Sequence, residues 1–178
     1  MPGAHGAPEE EAVENQTHRS LREGTAAGLV AGMIFAVMEI AGAAMMGNPP
    51  LMPIRMFASV LLGKSALEGA LGVALIVGIV AHMVLSGAFG IVYGLVIGRL
   101  QPKTQTSFGR QSLIGMMFGL VVWLVNFQII ARVLYPWFLE TPQVLQAMMH
   151  ALFFGLPLAL VYTASERKAV GHAPAPQS

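Results

Sequence analysis

The sequence predicts an all-α, polytopic membrane protein with four transmembrane helices arranged as two tandem helical hairpins, plus a short interfacial helix in the first outer loop. Three observations carry this. Four long runs are nearly free of charge, the ten Lys and Arg gather at their edges, and the runs repeat a pattern of small and polar residues. Composition agrees: 55% of residues are hydrophobic and 11% charged, with a mean hydropathy of +0.65. Soluble domains carry about twice that charged fraction. A formal net charge of +1 supplies no basic patch for nucleic acid. The chain has no cysteine, which removes disulfides, thiolate metal sites and cysteine nucleophiles together.

In order, residues 1–20 read as a solvated, disordered cytoplasmic tail of low apolar content. The acidic run Glu9 to Glu11 stands where a signal peptide would carry basic residues, and no cleavage motif precedes the first span. The membrane domain covers 21–166, with spans at about 25–47, 71–98, 111–134 and 143–165. Each exceeds the roughly 20 apolar residues that cross a bilayer core. The second span is the most uniform, with no Asp, Glu, Lys or Arg between Gly69 and Ile97. Asn48-Pro49-Pro50 ends the first helix, because proline cannot continue it and restrains the residue before it. PIRMFASVLLGKSALEGA then reads as one amphipathic helix at the outer interface. Tyr135 and Trp137 suit the headgroup belt. Residues 167–178 form a second disordered cytoplasmic tail.

Orientation follows from the basic residues. Arg19, Arg22, Arg99, Lys103, Arg110, Arg167 and Lys168 lie on one side, against Arg55, Lys64 and Arg132 on the other. The positive-inside rule places both termini and the 99–110 loop in the cytoplasm.

The repeat sharpens the reading. Gly28, Gly32, Glu39 and Pro49 are matched by Gly115, Gly119, Asn126 and Pro136, each offset by 87. His82 with Gly87 likewise matches His150 with Gly155. Two spans per copy give two hairpins of the same orientation, related by an axis along the membrane normal. Glycines four apart let helices approach closely in lipid, so packing is their first role. The same stripes turn Glu39 and Asn126 inward.

Glu39, His82, Asn126 and His150 can therefore meet at similar depth, the two histidines on diagonal helices. Intramembrane ionisable groups face a partner or a water-filled cavity. Three readings of the cluster stay open. One is a hydrogen-bonded polar core, Glu39 to one histidine and Asn126 to the other. The second is a ligand site in which His82 and His150 bind haem b axially, non-covalently since no C-x-x-C-H motif exists, or bind a metal. The third is a proton or solute pathway through Glu39 and His82 in a small channel or transporter. The methionine doublets 45–46, 116–117 and 148–149 offer soft copper ligands, yet adjacent residues point about 100° apart on a helix, and methionine commonly fills core gaps. Arg55 and Arg132 either snorkel to headgroups or pair with Glu39 or Glu140. Pro157 should kink the fourth helix by freeing the Phe153 carbonyl.

No G-x-S-x-G, P-loop or H-E-x-x-H occurs. The expected function is a small, non-enzymatic membrane protein or accessory subunit, whose partners are the bilayer and other membrane subunits or copies of itself.

The segments SLREGTAAGLVAG, AHMVLSGAFGIVYGLVIGRLQPK and QAMMHALFFGLPLALVY, with the pattern His82-x3-Ser86-x2-Phe89-x3-Tyr93 followed by Pro102-Lys103, resemble the YagU-type inner-membrane proteins of bacteria. The resemblance spans most of residues 21–164. It implies a four-span inner-membrane protein without an assigned activity, carrying a single histidine early in its last helix.

Overall fold

A computed structural model describes residues 7–171, and every regular element within them is helical. Four helices are long and apolar enough to cross a membrane. They are α1 (Ala7–Met45), α3 (Leu71–Gly98), α4 (Phe108–Leu134) and α5 (Gln143–Ala169), with the shorter α2 (Met52–Leu62) between the first two. Helix α1 has 39 residues and is about 58 Å long. It begins inside the stretch whose composition reads as a disordered tail. Residues 7–20 are helical because they continue a nucleated helix, which adds a hydrogen bond for each residue fixed. The last helix similarly runs past the expected boundary at 166, its helical turns continuing beyond the apolar span to Gly171. Residues 1–6 and 172–178 of the two expected tails lie outside the described residues.

The first loop departs from its expected form too. One helix over 53–70 is expected, but α2 stops at Leu62 and a single 3₁₀ turn, Lys64–Leu67, follows. The break is Gly63, whose φ of 76° is open to glycine and strained for other residues. Arg55 secures the broken loop by donating to the carbonyls of Ala66, Leu67 and Gly69 at 3.0, 3.4 and 2.8 Å.

Backbone contact orders the bundle. Helix α1 packs against α3 on one side and α5 on the other, and α4 packs against α5. The glycines explain these approaches. A Cβ on Gly90 would overlap the Gly24 carbonyl and crowd Gly28, and one on Gly28 would overlap the Ser86 carbonyl. Across the other pair, a Cβ on Gly115 would meet Gly155, and one on Gly119 would meet the His150 carbonyl. Helices α3 and α4 meet through side chains: the Tyr93 hydroxyl donates to Gln111 Oε1 at 2.5 Å, and Tyr93 packs edge-on against Phe118.

The core runs along the middle of the bundle through Ala27, Ala31, Phe35, Tyr93, Phe154, Leu158 and Tyr162. Val37, Ile76, Val84, Ile129 and Val133 point outward and are exposed. An apolar exterior around buried polar groups is the arrangement a bilayer favours. At the end carrying both termini, Arg19 pairs with Glu166, which is 1% exposed, and Arg167 donates to the Thr106 carbonyl at 2.7 Å. The opposite end, carrying α2 and residues 135–142, holds the site.

Candidate functional site

Close packing of α1 on α3 brings the Gly32 carbonyl to His82, whose Nε2–H donates to it at 2.8 Å. Glu39 stands two turns further along the stripe that holds Gly28, Gly32 and Phe35. On the other side, α4 and α5 each contain a widened π-helical turn, Leu124–Ile130 and His150–Gly155. The second lies just before Pro157, where the missing N–H was expected to produce a kink. Such turns put extra side chains on one helix face and recur at functional sites. Here they carry Asn126 and His150. His150 Nδ1–H donates to the Gln146 carbonyl one turn back, at 2.8 Å.

Glu39, His82, Asn126 and His150 all line one cavity of about 290 Å³. Helix α2 covers it with Pro53, Met56, Phe57 and Val60, and Tyr135, Phe138 and Thr141 line it from the connection between α4 and α5. Trp137 ties these two covers together by donating from Nε1 to Ser59 Oγ at 2.8 Å. Aromatic rings pack on both histidines. Phe35 touches both, at centroid distances of 6.0 Å to His82 and 4.7 Å to His150; Phe57 lies 4.3 Å from His82 and Phe127 5.5 Å from His150.

The hydrogen bonds within the cluster differ from the expected pairing. Glu39 bonds neither histidine: its Oε2 accepts from Gln146 Nε2 at 3.1 Å. Its Oε1 is buried and has no partner among the described residues. Among the described residues the Asn126 side chain makes no hydrogen bond, nor do His82 Nδ1 and His150 Nε2. The cluster is thus assembled around open space instead of being closed upon itself. Arg55 and Arg132 do not reach Glu39 or Glu140; Arg132 donates to Gln128 Oε1, at 2.6 Å from Nη2.

Among the site residues that sequence reasoning missed, two bear directly on the polar groups. Gln146 was legible as the i−4 neighbour of His150, and Phe35 as the i−4 neighbour of Glu39 on the glycine stripe. Neither carries a charge, so neither drew notice.

A cavity of about 290 Å³ lies at the lower edge of the ~300–1,000 Å³ occupied by small-molecule sites. It suits a molecule of one ring. Among the described residues no group of three His, Asp or Glu comes close enough together to hold a metal ion.

The class defined by this fold and site is a multi-pass helical membrane protein with a largely apolar cavity between its helices, into which a few polar side chains project. No protein-family model, curated protein or solved structure matches the chain, so its function is argued from the site.

Proposed function

We propose that this is a non-enzymatic inner-membrane protein that holds a small molecule in the cavity at the loop end of its bundle. One observation carries the reading: four polar side chains from four helices face one cavity while the buried Glu39 Oε1 has no protein partner. An unpartnered polar group in a low-dielectric interior costs about 1–3 kcal/mol. A ligand that satisfies it recovers that cost. The termini are cytoplasmic, as the basic-residue bias favours, and the chain belongs with the YagU-type proteins it resembles. Its two halves are tandem hairpins. The contacts Gly32–His82 and Gly119–His150 support this, since both members of each pair occupy corresponding positions in the two copies.

The test is thermal unfolding of detergent-purified protein against four ligand classes: organic amines, carboxylic acids, neutral single-ring compounds and divalent metal ions. At least one class should raise the midpoint saturably, since a ligand at a hundredfold its Kd adds about 2.7 kcal/mol. Ala131→Trp and Val122→Phe each place bulk against the cavity and should abolish that rise in whichever variant remains folded. No saturable rise in any class, or a rise undiminished in both variants, overturns the reading in favour of a purely structural polar core.

A further inference from the structure

We infer that the ligand of this cavity is a small organic cation bearing at least one N–H, a primary or secondary ammonium on an apolar, ring-sized body. The inference rests on the cavity being a ligand site and names the chemistry it selects.

The hydrogen-bonding capacity left over in the cavity decides the class. Glu39 Oε1 is a carboxylate oxygen, and when ionised it can only accept. His82 spends its Nε2–H on the Gly32 carbonyl, and His150 spends its Nδ1–H on the Gln146 carbonyl. Carbonyls cannot donate, so those two nitrogens must carry the hydrogens. In a neutral imidazole the other nitrogen, Nδ1 of His82 or Nε2 of His150, is then a lone-pair acceptor. Three of the free polar groups therefore only accept, the Asn126 amide and the Ser86 and Tyr135 hydroxyls can both donate and accept, and none of the lining groups is a cation. A carboxylate or phosphate ligand would meet acceptors and a like charge. A neutral carbonyl compound could take a hydrogen bond from Asn126, Ser86 or Tyr135 but would leave the Glu39 oxygen and both imidazole lone pairs unsatisfied.

Charge and walls point the same way. No Lys or Arg lines the cavity, and the two guanidiniums adjacent in sequence to lining residues are committed elsewhere, Arg55 to backbone carbonyls and Arg132 to Gln128 Oε1. The carboxyl of Glu39 thus has no protein cation and accepts one neutral donor, Gln146. Phenyl rings, foremost Phe35, Phe57 and Phe127, share the remaining surface with aliphatic side chains such as Met56, Val60 and Leu85. Ring faces carry negative potential and attract cations, while they pack equally well on an apolar body. A metal cation meets no group of three converging acidic or imidazole side chains among the described residues, whereas an ammonium needs only hydrogen-bond acceptors spaced around it.

The experiment is isothermal titration of the detergent-purified full chain with four probes of matched shape: 2-phenylethylamine, its N,N,N-trimethyl counterpart, 2-phenylethanol and 3-phenylpropionate. The amine should bind at least tenfold more tightly than each of the others. Glu39→Gln should erase the preference of amine over alcohol. Glu39→Asp, which keeps the charge, should retain it at reduced affinity and serves as the readout if the first variant does not fold. An alcohol or carboxylate that binds as tightly as the amine, or a preference that survives Glu39→Gln, overturns the inference while leaving the cavity a ligand site. Equal binding of the trimethylated probe overturns the requirement for an N–H. Saturable unfolding shifts with other classes but none with amines also overturn it; absence of shifts in every class removes the ligand reading itself.

Discussion

Gln146 holds the buried carboxyl of Glu39 with a single hydrogen bond of 3.1 Å, and its backbone carbonyl also fixes the ring of His150. The side chain and the main chain of one residue thus orient two members of the site. Substituting Gln146→Leu leaves the His150 bond intact and strips Glu39 of its only donor among the described residues. We expect a loss of about 1–3 kcal/mol, read as a lower unfolding midpoint by tryptophan fluorescence in detergent. The double variant Glu39→Leu/Gln146→Leu should recover most of the loss, because removing both partners leaves nothing unsatisfied. An unchanged midpoint in Gln146→Leu would show that the bond contributes nothing to stability.

Among the elements, α1 and α3 are joined along Gly24, Gly28 and Gly32 against Ser86, Gly90 and Gly94, with backbone on backbone. This seam sets the distance over which His82 can reach the Gly32 carbonyl. Gly90→Leu should force the helices apart, with a destabilisation of at least ~1–3 kcal/mol from overpacking and disordering of His82. Gly42 shares a helix with that seam but faces open space, so Gly42→Ala should be neutral or stabilise by up to about 1 kcal/mol. Folded yield and unfolding midpoint measure both; equal effects at the two glycines would refute the assignment of the seam. The π-turns act at this scale too. Neither Asn126 nor Gln128 identifies a π-turn in the sequence, since the pattern of apolar positions cannot register one extra residue in a turn.

For the whole molecule, the absence of native cysteine makes sidedness measurable. Ser65, Gln101 and Glu140 are exposed and lie in different connecting segments. With a membrane-impermeant maleimide on intact bacteria permeabilised only at the outer membrane, Ser65→Cys and Glu140→Cys should label. Gln101→Cys should label only after lysis. The reverse pattern would invert the proposed orientation. The ion pair of Arg19 with the buried Glu166 closes the cytoplasmic end in this orientation, tying the first helix to the last.

Much of this was legible from residues alone. Charge-free runs of more than 20 residues dictate helices, because lipid leaves the backbone no other way to satisfy its hydrogen bonds. The rarity of Glu39, His82, Asn126 and His150 within such runs marked them as inward-facing, and the glycine spacing supplied the stripe. What tertiary structure alone decided is how these groups are satisfied. Gln146 was a distant, neutral residue in the sequence and became the partner of Glu39 across 107 positions. Arg55 was a candidate counter-ion and instead closes its own loop. Sequence periodicity reports the direction in which a side chain leaves its helix. Whether it then meets a partner or open space depends on the separation of helices far apart in the chain, and that separation arises only when glycine backbones come into contact.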